Sequence, residues 1–280
     1  MRLDAAVAAQ CQITRSHAKQ LISEGKVSVD GTVLHKPSLA VSEGSRLVVN
    51  DSVEPRQALD LTTVYEDPDI KVVIKPAGML VHPTSSHQQE PTVVDAILHE
   101  TTDDDAVRPG IVHRLDRNTS GLIILAKSKS AKEYMQKQFQ THQVKKTYLA
   151  LVIGHLKDAQ AVISVPLDRS KTHPLRRVAD PQGKPAQTAY KVLESIGNYD
   201  LVEAKPTTGR THQLRAHFAH LGHPIVGDKL YGADAYLDLG RYFLHAAELE
   251  FVSPNNTKVH VSAPLPNELQ AVLQKIRSRV

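Results

Sequence analysis

The sequence predicts an α+β protein in two parts, a small N-terminal α/β unit and a larger strand-rich domain. Three observations lead there. From residue 63 onward short apolar strands dominate. Helices interrupt these strands irregularly instead of alternating with them, which disfavours a regular βαβ fold. A polar stretch at 53–62 separates the two parts and reads as a linker, giving expected boundaries of 1–52, 53–62 and 63–280.

Composition sets the outer bounds. A chain of 280 residues buries roughly 75% of the surface its unfolded form exposes, so no disulfide or metal is needed to hold it. Its one cysteine, Cys11, rules out an intrachain disulfide and fits a reducing compartment. The first twenty residues lack the apolar core of a signal peptide. No run approaches the ~20 apolar residues of a membrane span. A soluble, cytoplasmic chain without membrane contact is expected, with a monomer as the default. The net charge of +4 and pI near 9.0 are compatible with a polyanionic partner, but the placement of charge decides more than its total.

The elements follow in order. Leu3, Ala6 and Val7 share one face of a first helix. Thr14 is placed to cap a second, whose stripe is Ala18, Leu21 and Ile22 and whose stop is Gly25. Asp30-Gly31 between alternating apolar residues signals a hairpin, and Arg46 to Val49 a further strand. In the second part strands are expected at Val72–Ile74, Ile111–Leu115, Leu122–Ala126, Tyr148–Ile153, Thr188–Leu193, Leu201–Ala204 and Val259–Ser262. A helix at 130–141 carries Ala131, Tyr134, Met135 and Phe139 on one side. The last helix, 267–278, carries Leu269, Val272, Leu273 and Ile276. Asp103-Asp104-Asp105 reads as a solvated loop.

Arg15 and Lys19, four apart, project from one helix face, either as a solvated basic face or as an RNA contact. The string Arg2-Leu3-Asp4, Thr14-Arg15-Ser16, Ile22 to Gly31, Pro37 and Gly44 resembles the small RNA-binding domain named after ribosomal protein S-four. That resemblance covers about 50 residues and implies RNA binding, not chemistry.

Gly110-Ile111-Val112-His113-Arg114-Leu115-Asp116-Arg117-Asn118-Thr119-Ser120-Gly121 leaves one strand, turns and enters another. Asp116 could simply fold that turn. If the first strand extends far enough, Arg114 and Asp116 point to the same side. The segment also resembles the signature of the RluA-type family of large-subunit ribosomal RNA pseudouridine synthases. Four further motifs follow the family's order: Lys75 to Pro83, Lys146 to Val152, Gly183 to Tyr190, and Thr208 to His217 with Gly222 to Asp228 behind it. Together they span residues 64–265. Asp95 and Val178 depart from the family's usual Asn and Met.

The resemblance implies a mixed, mainly antiparallel central sheet with flanking helices. It implies an isomerase that turns uridine into pseudouridine within structured RNA and uses no cofactor and no metal. Asp116 is the implied catalytic carboxylate, with Arg215 beside it and Tyr148 against the uracil. A carboxylic acid of ordinary aspartate pKa, about 3.9, ionises unaided at neutral pH. Arg215 therefore orients a desolvated carboxylate and does not need to activate it. A tyrosine of ordinary pKa near 10 is a poor base, so stacking is favoured for Tyr148. Arg114 is the implied filler of the gap left when the target nucleotide flips out. His212 is carried over among the RNA contacts.

Between Arg114 and Lys146 stand eight basic and two acidic side chains. Lys127, Lys129 and Lys132 read as phosphate contacts or as a solvated helix face, and the loop holding Arg176 allows the same two readings. Two other functions compete. His212, His217, His220 and His223 invite a metal site, but no cysteine or HExxH pattern accompanies them and His217 fits a core position. A non-catalytic RNA-binding or ribosome-assembly factor would show the same basic stripes. Among substrates, ribosomal RNA leads and transfer RNA is the alternative.

Overall fold

The computed structural model describes all residues except 12–14, 43, 51–58, 84–89, 106–107, 234–238 and 280. They fall into two compact units. In the first, α1 (Leu3–Cys11) and α2 (Arg15–Ser23) are followed by β1 (Val27–Val29), β2 (Thr32–Val33) and β3 (Leu47–Val49). The three strands form one antiparallel sheet in the order β2-β1-β3. The expected hairpin turn has Asp30 and Gly31 both at positive φ, 51° and 84°, the geometry of a type I′ turn. Leu3, Val7, Ala18, Leu21 and Ile22 build its core. Thr14, expected as a helix cap, lies outside the described residues.

The second unit is a nine-stranded mixed sheet. Its strands are β4 (Thr63–Glu66), β5 (Ile70–Lys75), β6 (Ser120–Ala126), β7 (Lys145–Ile153), β8 (Gln160–Ser164), β11 (Gln187–Ile196), β12 (Tyr199–Pro206), β13 (Leu244–Val252) and β14 (Lys258–Ser262). A separate two-stranded ribbon is β9 (Leu167–Arg169) with β10 (Arg177–Ala179). The order is β4-β5-β6-β13-β7-β12-β11-β8, with β14 paired to β13. Every pair is antiparallel except β6 with β13. Helices α3 (Lys129–Gln140), α4 (Gln213–His220) and α5 (Asn267–Arg277) flank it.

Strand β6 is buried along its whole length. Leu122, Ile124 and Ala126 pack with α3, while Ile123 and Leu125 pack on the opposite face with Val93 and Ile97. This period-two division between two cores explains why the sequence there is continuously apolar. Helix α5 buries Leu269, Val272, Leu273 and Ile276, as its spacing predicts. Of the four residues expected on the α3 stripe, Ala131 and Met135 are buried but Tyr134 faces solvent.

Several expectations need correction. Ile111–Leu115 is not a strand: only Ile111 bridges, to Leu125. Strand β13, near the middle of the sheet, is absent from the sequence reading. The expected linker is shorter at its far end, because Leu61 is buried beside Val73 and Ile97, and Leu59 packs against the same cluster. The acidic run is not solvated throughout. Asp103 is buried, and its Oδ2 accepts from the Gly110 amide at 2.8 Å and from Lys132 Nζ at 2.7 Å. Lys132 also donates to Asp105 and to the Arg108 carbonyl, at 2.8 and 2.9 Å. Lys132 is therefore spent on structure and is not a phosphate contact. Lys127 pairs with Glu66 at 2.5 Å, and Lys129 lies 3.5 Å from Asp104. Among the described residues no helix is long and apolar enough to cross a membrane.

Burial alone would raise the Asp103 pKa, but Lys132 and the Gly110 amide outweigh it and hold the carboxyl below the usual range. The native state thus binds this proton less tightly than the unfolded chain. The stability it contributes is present above the unfolded pKa, about 3.9, and is lost as pH falls below it. Lys132→Ala strands a buried carboxylate and should cost about 3 kcal/mol in urea unfolding at neutral pH. The same variant should leave the salt dependence of RNA binding unchanged.

Candidate active site

Asp116 sits on the turn between the Ile111 bridge and β6, where the Thr119 amide donates to its carbonyl at 3.0 Å. The chain before it is not a strand for a visible reason. The Ile124 amide of β6 donates to His113 Nε2 at 2.9 Å, so a side chain accepts the bond a neighbouring strand would take. His113 also stacks on Phe139, centroids 4.5 Å apart. Burial lowers its pKa to about 3, so the ring is neutral and free to accept that amide. Gly121 enters β6 at φ 116°, and a Cβ there would stand 2.2 Å from the Ala246 carbonyl oxygen. Only glycine lets β6 and β13 approach so closely just past the Asp116 turn.

The far side of the turn is tied to the segment after β5. Lys75 is fully buried and donates to the carbonyls of Pro76, Met79 and Arg117 at 2.8, 2.9 and 2.9 Å. Burial, aided by Arg241, pulls its pKa down to about 7, with Asp116 opposing. Three carbonyls nevertheless accept its three protons, the arrangement an ammonium needs. The Arg117 side chain closes the loop by donating to the Gly78 carbonyl at 2.8 Å.

Asp116 opens into a cavity of 490 Å³, which Arg114, Lys146, Tyr148, His212 and Arg215 also line. Arg215 Nη1 lies 3.5 Å from Asp116 Oδ2, and His212 Nε2 lies 3.9 Å from the same oxygen. The stronger partner of Arg215 is Asp228, which it grips with two donors at 2.6 and 2.8 Å. Both are nearly sealed, with side chains 7% and 1% exposed. The guanidinium is also held between two rings, 4.4 Å from the Tyr242 centroid and 5.0 Å from that of Tyr231. Burial alone would lower its pKa, but Asp228 and its neighbours raise it net, so the arginine stays charged.

Gln213, at the start of α4, fixes the loop before it. Its carbonyl oxygen accepts from Thr208 Oγ1 at 2.7 Å and the Arg210 amide at 3.0 Å, and its amide donates to the Gln187 carbonyl at 2.9 Å. Tyr148 comes from β7, where its register partners are Ala204 and Ala246. Burial, and then Asp116, push its hydroxyl pKa well above the ordinary value. Lys146, two residues earlier, is buried, and its ammonium donates to the Thr208 carbonyl at 3.3 Å. Burial lowers its pKa to about 8.

Five predicted residues thus converge: Asp116, Tyr148, Arg215, Arg114 and His212. Arg176 lies on the next layer, its guanidinium 5.2 Å from the Tyr231 centroid. Lys127, Lys129 and Lys132 do not line the cavity. In the first unit Arg15 lies 3.0 Å and Lys19 4.0 Å from the buried Asp4. The histidine group disperses: His217 is a core residue bonded to Thr188 and the Val165 carbonyl, and His223 bonds to the Ile153 carbonyl. Among the described residues no group of three or more His, Cys, Asp or Glu side chains is placed to hold a metal.

Sequence reasoning missed Asp228, Tyr231, Tyr242 and Lys146. A chemical signal was available for Asp228. An arginine buried enough to orient a carboxylate needs a second counter-charge, and the Gly222–Asp228 segment supplies an aspartate.

A mixed sheet bearing a cleft of carboxylate, tyrosine and clamped arginine defines the class as an RNA-acting isomerase, given what the chain is similar to. Residues 69–220 match the family described as RNA pseudouridylate synthase, and residues 1–47 match the S4 domain. The chain belongs to the RNA pseudouridylate synthase family. It is 36% identical to a protein of Nitrosomonas europaea named ribosomal large subunit pseudouridine synthase D, over 99% of this chain and 85% of the relative. It is 44% identical to an uncharacterized RNA pseudouridine synthase of Chloroflexus aurantiacus, over 73% of this chain and 66% of that protein. The solved structure of human RNA pseudouridylate synthase domain containing 1 superposes with a TM-score of 0.61 at 29% identity, covering 80% of this chain and 98% of that one.

Asp228→Asn removes the charge that fixes Arg215. It should lower the single-turnover rate on RNA about 100-fold while leaving RNA affinity within about threefold.

Proposed function

We propose that this enzyme converts uridine to pseudouridine in large-subunit ribosomal RNA, acting in the cytoplasm as a monomer with Asp116 as its catalytic residue. The observation that carries the site assignment is the convergence of Asp116, Tyr148 and Arg215 on one cavity. The choice of RNA rests on similarity, over 99% of this chain and 85% of the relative, to a protein named for the large ribosomal subunit.

The reaction breaks the bond between ribose C1′ and uracil N1, turns the ring, and joins C1′ to C5. Atoms are conserved, so neither water nor a redox partner enters. Asp116 Oδ2 faces Arg215, which leaves Oδ1 to meet the substrate, either by attack on sugar or ring or by drawing a sugar proton. With its pKa raised, Tyr148 keeps its hydroxyl proton and serves as a stacking face. Extruding the nucleotide costs a few kcal/mol, which stacking on an aromatic ring, ~1–3 kcal/mol per base, offsets in large part. Arg114, exposed at the cavity rim beside Asp116, is placed to enter the vacated stack.

Lys146 offers the cavity a buried cation whose one described hydrogen bond goes to a carbonyl. It suits a phosphate of the flipped nucleotide. In the first unit, Arg15 and Lys19 ring Asp4 and retain donors for a phosphate backbone; Arg176, against the Tyr231 ring, is a further RNA contact.

Two outcomes are expected. RNA tritiated at uracil C5 should lose label with the wild-type protein on unmodified large-subunit ribosomal RNA, and Asp116→Ala should release none. Release from transfer RNA alone would reassign the substrate, and retained release by Asp116→Ala would remove the assigned role. Lys146→Met should weaken RNA binding and reduce the slope of log affinity against log salt by about one; an unchanged slope counts against the phosphate contact.

A further inference from the structure

His212 has an unusual setting. It precedes α4 in the left-handed region, φ 56° and ψ 21°, where a non-glycine residue is uncommon. Its ring does no capping there. Instead it turns into the cavity, with Nδ1 3.2 Å from the Tyr231 hydroxyl and Nε2 3.9 Å from Asp116 Oδ2.

The Tyr231 hydroxyl settles which nitrogen carries the proton. The backbone amide of Arg177 donates to the phenol oxygen at 2.7 Å. The phenol proton must then go elsewhere, and Tyr231 is only 5% exposed. His212 Nδ1 is its one remaining neighbour among the described hydrogen bonds. Were Nδ1 protonated, two donors would meet the phenol oxygen and its proton would be buried unpaired, at a cost of about 1–3 kcal/mol. Nδ1 is therefore the acceptor, and the neutral ring carries its proton on Nε2. Burial lowers the imidazole pKa from its ordinary value, Asp116 opposing, so the ring is neutral at pH 7. The Nε2 proton points into the cavity, and 3.9 Å is too far for Asp116 to take it.

We infer that His212 Nε2–H is the hydrogen-bond donor to the departing uracil, received by the ring's carbonyl O2. The inference rests on the assignment of Asp116 as the catalytic carboxylate. When the C1′–N1 bond breaks, its electron pair leaves with the uracil and spreads over N1 and the carbonyl oxygens. O2 is the carbonyl nearest N1, hence nearest the sugar carbon beside Asp116, which His212 faces. A donor fixed where charge develops lowers the barrier without reorganising. The turned ring then returns a pair from C5 to C1′, C5 loses its proton, and N1 takes one up. His212 keeps its own proton throughout, so Tyr231 is a positioning residue that holds the tautomer.

The test uses the full-length protein and a synthetic stem-loop it modifies, with uridine or 2-thiouridine at the target and conversion read by nucleoside chromatography under single turnover. His212→Asn tolerates the left-handed backbone but is too short to reach O2. It should lower the rate about 100-fold with RNA affinity within about twofold. Tyr231→Phe should lower the rate about tenfold by freeing the tautomer. Sulfur accepts hydrogen bonds poorly, so the slowing caused by 2-thiouridine should be at least about tenfold smaller in His212→Asn than in wild type. An unchanged rate in His212→Asn, or weaker RNA binding at a normal rate, would overturn the inference. So would an equal thio effect in both proteins, or loss of the His212 dependence only when the target 2′-hydroxyl is removed. Retained conversion by Asp116→Ala would instead sink the assignment beneath it, which separates the two failures.

Discussion

The buried pair between Arg215 and Asp228 is the constraint on which the rest of the site depends. Two short hydrogen bonds and two flanking tyrosine rings leave the guanidinium one orientation. Only its outer nitrogen remains for Asp116, at 3.5 Å. Desolvating such a pair is costly, and hydrophobic replacements are often as stable. Its justification is therefore positional. The arginine presents a fixed charge to a carboxylate on a different segment, and α4 and the loop before β13 are brought together to allow it. Arg215 and His212 approach one oxygen of Asp116, which leaves the other free for chemistry.

The turn carrying Asp116 is over-determined in the same manner. Lys75 ties its carbonyl backbone to the segment after β5, and His113 replaces a strand partner on β6. The close β6–β13 approach at Gly121 sets its far end. A reacting group on a loop gains precision only when its neighbours are held this way. The ionisable groups around it divide by role. Burial keeps Tyr148 and Tyr242 protonated and His113 and His212 neutral, whereas Arg215 stays charged against the pull of burial because Asp228 and its neighbours outweigh it.

Much of this was legible in the residues, and the failures have physical reasons. Strands of β-branched and aliphatic residues, such as β5, β6 and β7, and the stripe of α5 announce themselves by periodicity. Strand β13 does not. Leu244–Val252 includes Ala246, Ala247, Glu248 and Glu250, residues with helix preference that the surrounding strands override. His113-Arg114-Leu115 looked like a strand because its apolar pattern continues that of Ile111; only a side chain taking the backbone's hydrogen bond ends it. Asp103 reads as solvated, and Lys132 as a phosphate contact or part of a solvated helix face, because charge in sequence does not reveal its partner, here 29 residues away. Family motifs brought Asp116, Tyr148 and Arg215 to attention. The need of a buried arginine for a second counter-charge pointed toward an aspartate such as Asp228, but only the fold shows that Asp228 is the one that grips Arg215.

The central claim is that Arg215 serves Asp116 only while Asp228 holds it, so that the two act as one device. The most direct measurement is a double-mutant cycle on single-turnover rate with Arg215→Lys and Asp228→Asn. Lysine keeps the charge but loses the bidentate grip and the ring stacking. The account predicts that each variant loses a similar factor and that the double variant is no slower than the worse single one. Losses that simply multiply would show that the two residues act independently, and would contradict it.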